Sequence, residues 1–183
     1  MRCGSIEADH ELTDTARQAL SAAGTPVNVH TGDGNDGWAP DALYDRVIAT
    51  YAVERIPWAW VEQTRPGGRI VTPWGRLGHV ALTVTDDGRS ATGWVQGLAQ
   101  FMPDRRTLPT EPDYAQVRTR SEPAEERSWH RDLAPLRDDV HLRFALRLAL
   151  PHLRFTLAED ADGLNAWLHD AQLRSLGFGT VGE

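Results

Sequence analysis

The sequence has no lysine; all 19 of its basic residues are arginine. These face 26 acidic residues, for a formal charge of −7. A net acidic surface argues against general nucleic-acid binding, which requires a basic face to neutralise phosphate. Cysteine is nearly absent too: Cys3 alone leaves no basis for an intrachain disulfide framework or a multi-cysteine metal site. The seven histidines show no HExxH and no paired ligand spacing, so no metal site is expected. No apolar run approaches the ~18 residues needed to cross a bilayer. Glu7 and Asp9 stand where a signal peptide would place its apolar core, so none is expected. What is present, 183 residues of which 40% are apolar, suffices for about one ordinary domain with a sizeable core. The expectation is a cytoplasmic, mixed α/β protein that neither spans a membrane nor binds nucleic acid.

Periodicity predicts the element order. Residues 3–7 read as a short strand ending on an acid. Residues 9–23 read as a helix, with Asp9 as N-cap, Gly24 as terminator, and Leu12, Ala16, Ala19, Leu20 and Ala23 at helical spacing. Val27, Val29 and Thr31 alternate as a strand that enters the turn-rich run from Gly32 to Gly37. Tyr44 to Tyr51 reads as a second β-branched strand. Pro57 can open a helix carrying Trp58, Trp60 and Val61, which stops before Pro66-Gly67-Gly68. A strand from Arg69 to Trp74 follows, then a hairpin with Asp87-Gly88 at its turn. This rhythm predicts an α/β sheet with an antiparallel edge, over residues 1–102. Residues 103–138, rich in proline and charge, read as a connection. Residues 139–183 read as an α+β extension: a helix over 140–150, capped by Asp138, and a hairpin from Phe155 to Trp167.

Gly32-x-Gly34-x-x-Gly37 matches the dinucleotide fingerprint literally but does not function as one. Such a loop must open a crossover helix, and parallel crossovers need a dozen or more residues. Only six residues, interrupted by Pro40, separate Gly37 from Tyr44. Another reading survives. In open α/β sheets ligands bind beyond the carboxyl ends of strands, where a carboxylate can accept hydrogen bonds from ribose hydroxyls. Glu7 and Asp33, 26 positions apart, close consecutive predicted strands and would share one rim, suited to the ribose and adenine of one nucleoside. A lone acid at a strand end is more often merely solvated. Trp38, Trp58, Trp60 and Trp74 are more often core than ligand platforms. Asp160-x-Asp162-Gly163 lacks the remaining acids of a calcium loop and reads as a turn.

The run VHTGDGNDGWAPDALYDRVIATYAVERIPWAWVEQTRPGGRIVTPWG, residues 29–75, resembles the protein-L-isoaspartate O-methyltransferases, which use S-adenosylmethionine. The signatures occur in order: the GDG-x-x-G-W loop, the YDRVIAT strand, Ile-Pro, and Glu-Gln-x-x-Pro-Gly-Gly-Arg before a strand. "SIEAD", residues 5–9, is similar to the acidic motif that precedes them. The resemblance spans about residues 3–102. It implies a Rossmann-like methyltransferase sheet and a carboxyl methyl transfer from S-adenosyl-L-methionine to an isoaspartyl or related carboxylate of a protein or peptide. It makes Glu7 the ribose acceptor, Asp33 the partner of the adenine amino group, Gly34 a backbone neighbour of the ring, and Ala49 and Thr50 the border of the transfer cleft. Gln63, Pro66, Gly67 and Gly68 would be scaffold. No catalytic residue can be carried over. The Lys-free composition adds a weaker similarity to relatives that tailor peptides.

The family pattern begins with a strand, a Gly-rich loop and a helix that would precede Met1, so the sheet is expected to lack its first strand. That strand would sit between those ending at Glu7 and Thr50, and its absence would bare two strand edges. A second reading is therefore a non-catalytic or degenerate methyltransferase-like subunit whose sheet is completed by a partner chain. A third keeps methyl transfer but makes the acceptor a small molecule or biosynthetic peptide.

Overall fold

The structure, a computed structural model, describes residues 3–75, 77–104, 131–161, 163–170 and 175–181. The chain divides into two compact units, Met1–Leu108 and Pro109–Glu183.

The first unit opens with β1 (Cys3–Glu7), α1 (His10–Ala22) and β2 (Val27–Thr31). The two strands pair in parallel, Cys3 opposite Val27 through Glu7 opposite Thr31. Asp9 caps α1 by accepting from the N–H groups of Glu11 and Leu12 at 2.8 and 3.1 Å. Gly24, at φ 65°, turns the chain out of the helix, a backbone geometry that costs glycine nothing. The buried stripe of α1 differs from the expected one. Thr13 is wholly buried while Leu12 is 53% exposed, and Ala16 and Leu20 are half-buried. Among the described residues α1 packs on the two-stranded sheet of β1 and β2, a narrower strip than a full sheet would offer. The Thr13 hydroxyl is satisfied by the Asp9 carbonyl at 2.8 Å.

Two short 3₁₀ turns, Gly34–Asp36 and Ala39–Asp41, carry the chain from β2 to β3 (Tyr44–Ile48). After α2 (Trp58–Glu62) come β4 (Thr64–Trp74), β5 (Gly78–Val84) and β6 (Ala91–Leu98). Their order is β3-β4-β5-β6, parallel at the first pairing and antiparallel at the other two. β3 is shorter than expected: the Ala49 N–H still reaches the Val71 carbonyl at 3.0 Å, but Ala52 and Val53 turn to bridge Pro103 and Trp74. β4 begins earlier than expected, at Thr64 opposite Tyr44. A register shift before the Arg46–Arg69 pair absorbs Pro66-Gly67-Gly68, with Gly67 at φ 72°.

The core of this unit gathers Val53, Trp60, Val61, Ile70 and Val84, with Val47, Ala49, Tyr51 and Leu82 packed around it. Each fully buried large side chain contributes about 1.5–3 kcal/mol of apolar transfer. Trp58 departs from the core role expected of it: it is 52% exposed and donates to Glu62 Oε1 at 2.7 Å. Among the described residues β1 pairs only with β2, and β3 only with β4, so the parallel strands fall into two separate sheets. This is the pair of bared edges expected from the sequence.

In the second unit, α3 (Ala134–Asp138) and α4 (Val140–Ala149) precede β7 (Arg154–Asp160), β8 (Gly163–His169) and β9 (Ser175–Val181). The strands form an antiparallel sheet in that order. Residues 134–138, assigned to the connection from sequence, are helical, and Asp139 rather than Asp138 caps α4, accepting from His141 and Leu142 N–H at 2.8 and 3.1 Å. Asp138 instead pairs with Arg137. Residues 105–130, the bulk of the expected connection, lie outside the described residues. β9 was not foreseen, since the glycines of Ser-Leu-Gly-Phe-Gly weaken the strand signal. β8 buries Asn165, Ala166, Trp167 and His169, the imidazole lying 3.1 Å from Thr156 Oγ1 and 3.2 Å from the Asp170 carbonyl. Asp9→Ala, which removes the α1 cap, is expected to lower stability by about 1 kcal/mol, read as a lower urea midpoint with unchanged slope.

Candidate functional site

Parallel pairing brings two acids to one rim. Glu7 is the last residue of β1 and lies opposite Thr31, the last of β2; Asp33 follows two positions later. The Gly32 N–H donates to the Glu7 carbonyl at 3.0 Å, extending the ladder one step and drawing the loop against β1. Glu7 Oε1 accepts from the Asp9 N–H at 3.0 Å, and Asp33 Oδ1 accepts from the Asn35 N–H at 3.0 Å. Each carboxylate is thus oriented by a backbone donor while remaining partly accessible. Ala49 and Thr50 lie at the carboxyl end of β3, on the other sheet. Ala49 is half-buried against the core; Thr50 is exposed.

The loop from Asp33 to Trp38 is irregular, so side chains must satisfy much of its backbone. Gln63, at the end of α2, makes two such bonds: its Oε1 accepts from the Trp38 N–H at 2.7 Å and its Nε2 donates to the Asp36 carbonyl at 2.8 Å. Gly37, at φ 64°, lies against that amide, and a Cβ there would overlap it. Trp60 Nε1 donates to the Gly34 carbonyl at 2.7 Å. A Cβ on Gly34 would come within 2.5 Å of the Tyr51 hydroxyl, so packing against Tyr51 already accounts for glycine here. Gln63, expected to shape the turn from helix to strand, has a further role in the structure, a two-point grip on the loop. Further along, Trp38 stacks on His30, ring centroids 4.0 Å apart, and its carbonyl accepts from the Tyr44 hydroxyl at 2.6 Å.

Sequence reasoning missed three members of this cluster. The Tyr51 hydroxyl donates to Asn35 Oδ1 at 2.9 Å, and Asn35 Nδ2 donates to Asp104 Oδ2 at 2.5 Å. Tyr51 follows Thr50 directly and could have been read with it. Asp104 could not, standing 69 positions from Asn35. Burial pushes the Tyr51 phenol well above its ordinary range, and Asp104, Asp33 and Asp36 reinforce this. Burial also raises Tyr44, with help from Asp41.

Two of the hollows among the described residues border the first unit's strands. The larger, about 430 Å³, is lined by residues including Cys3, Arg17 and Asn28 at the amino ends of β1 and β2. Ligands of open α/β sheets bind at the opposite, carboxyl ends. The smaller, about 190 Å³, is lined by Asn35, Val53, Glu54, Arg55 and Asp104 and adjoins the Asp33 loop. Chemistry and sheet polarity favour the carboxyl rim over the larger volume.

Two outcomes test this geometry. Gln63→Ala leaves the Trp38 N–H and the Asp36 carbonyl without their side-chain partners; a loss of about 2 kcal/mol is expected in chemical unfolding. The folded state favours the protonated Tyr51 phenol, a contribution complete below about pH 10 and lost as pH rises through the unfolded and then the raised folded value. Stability above pH 10 should accordingly fall more steeply for the wild type than for Tyr51→Phe, measured by urea unfolding across that range.

Residues 1–97 match the family described as protein-L-isoaspartate(D-aspartate) O-methyltransferase (PCMT). The protein-L-isoaspartate O-methyltransferase of Pyrococcus abyssi is 44% identical over 72 residues, 39% of this chain and 33% of that protein. That of Hyperthermus butylicus is 41% identical over 90 residues, 46% of this chain and 37% of the relative. A solved protein-L-isoaspartate O-methyltransferase superposes with a TM-score of 0.53 at 22% identity, covering 56% of this chain and 34% of its own, which shows a shared fold. The chain spans about a third of the length of these relatives. With the family matched over more than half of the sequence, the chain belongs to the protein-L-isoaspartate(D-aspartate) O-methyltransferase family.

Proposed function

We propose that this chain supplies the nucleoside-holding part of an S-adenosylmethionine-dependent carboxyl methyltransferase, acting on an isoaspartyl or related carboxylate of a protein or peptide. Repair of damaged proteins in the cytoplasm is the setting this implies. One observation carries the reading: Glu7 and Asp33 leave adjacent parallel strands at the same end.

The donor and acceptor chemistry fits the cofactor's nucleoside. A ribose presents two adjacent hydroxyl donors, and Glu7 presents a half-buried carboxylate with one oxygen fixed by the Asp9 N–H. An adenine amino group is a donor as well, matched by the carboxylate of Asp33. Gly34 offers backbone beside it, and Ala49 and Thr50 would border the transfer cleft. When bound, the cofactor supplies a methyl group already activated on a sulfonium. The protein's task is then to hold the donor and align the acceptor carboxylate. β1 and β3 each present one unpaired edge among the described residues, and a strand placed there, including one from a partner chain, would join the two sheets.

With the two sheets unjoined, S-adenosylhomocysteine should bind this chain with a Kd of about 100 μM or weaker, near −5.5 kcal/mol. In an NMR titration, amide shifts are expected at Glu7, Thr31–Asp36 and Ala49–Tyr51. Asp33→Ala should weaken binding about tenfold through one lost charge-assisted hydrogen bond. Unchanged affinity in that variant, or shifts confined to the hollow beside Arg17 and Asn28, would remove the assignment.

A further inference from the structure

We infer that Asp104 is a positioning residue for the Asp33 loop, acting through Asn35. This deepens the proposed nucleoside reading and rests on it for its functional consequence. Asp104 is 7% exposed, so its carboxylate is held at a cost that only good hydrogen bonding offsets. Its backbone is rigidly strapped: the Ala52 N–H donates to the Met102 carbonyl at 2.8 Å, and the Asp104 N–H to the Ala52 carbonyl at 2.9 Å. The segment after β6 is thereby tied to the chain after β3, whose own Val53 is bonded to Pro73 and Gly75 of β4 and its end.

From that anchor a directional chain of donors runs to the loop. The Tyr51 hydroxyl donates to Asn35 Oδ1, and Asn35 Nδ2 donates to Asp104. A carboxylate only accepts, which fixes which end of the Asn35 amide faces it and leaves Oδ1 for the phenol. Asn35 is also the residue whose N–H caps onto Asp33 Oδ1. Fixing the Asn35 side chain from Asp104 thus fixes the peptide that orients the Asp33 carboxylate. Such a chain is polarised, each bond strengthening the next towards the charged end. Gln63 holds the far side of the same loop and Trp60 the carbonyl of the Gly34–Asn35 peptide; Asp104 adds a hold on the Asn35 side chain.

The test compares Asp104→Leu, Asp104→Asn and Asn35→Ala by amide hydrogen exchange without ligand, and by S-adenosylhomocysteine titration. Asp104→Leu and Asn35→Ala should accelerate exchange at Asp36 and Gly37 at least about fivefold relative to β4 and β5. Both should weaken ligand binding about tenfold. Asp104→Asn, which can still accept from Asn35, should stay within about twofold of wild type in both readouts. Should Asp104→Leu not fold, Asn35→Ala reads the same link from the loop side. Exchange at Asp36 and Gly37 unchanged in the folded variants would overturn the inference. A wild type that shows no ligand response at the carboxyl rim would instead defeat the nucleoside reading, while the exchange comparison still decides the role of Asp104.

Discussion

The site depends on how an irregular loop between two strands has its peptide groups satisfied. Neither sheet can reach the segment from Asp33 to Trp38 with backbone partners, because β2 ends at Thr31 and β3 begins at Tyr44. Polar backbone left unmatched at a half-buried position costs about 1–3 kcal/mol per group. Trp60 of α2, Gln63 at its end and Tyr44 of β3 bond the loop's peptide groups directly, while Tyr51 and Asp104 hold the side chain of Asn35. The loop's glycines follow from the same crowding, Gly34 beneath the Tyr51 phenol and Gly37 against the Gln63 amide.

Once the loop is held, the acids follow from sheet geometry. Parallel strands in register end together, so Glu7 and the residues after Thr31 share a rim without any contact between the two carboxylates being needed. The same geometry accounts for what is open. Among the described residues two parallel pairs, β1-β2 and β3-β4, stand in separate sheets, and the strands at the break are exposed: β1 carries no buried residue, and Ile48 of β3 is 70% exposed. A nucleoside seated at the Glu7 rim would rest on one sheet while its reacting end pointed towards Ala49 and Thr50 on the other. The loop that follows β2 is gripped by α2, its end and the turn after β3, and so ties the two together.

Much of this was legible in the sequence because the signals were local. Asp9 as cap, Gly24 as helix terminator, the Asp87-Gly88 turn and the strand-end positions of Glu7 and Asp33 each rest on residues a few places apart. What escaped was non-local or ambiguous. The buried position in the first turn of α1 is Thr13 rather than Leu12, since a threonine whose hydroxyl bonds to the Asp9 carbonyl can replace a leucine there. Val140 to Leu150 alternates like a strand yet is helical to Ala149, the cap and helix-forming side chains outweighing the alternation. Asp104 lay beyond reach because its link to the loop runs through a partner 69 residues earlier. The ordered motifs of residues 29–75 pointed to the fold where periodicity alone leaves the sheet order open.

The most direct measurement is a crystal structure of the protein grown with saturating S-adenosylhomocysteine. The account predicts the ribose hydroxyls on the Glu7 carboxylate and the adenine amino group beside Asp33, with the Gln63 grip on the loop unchanged. A nucleoside seated at the amino ends of β1 and β2, or bound with neither carboxylate in contact, would contradict it.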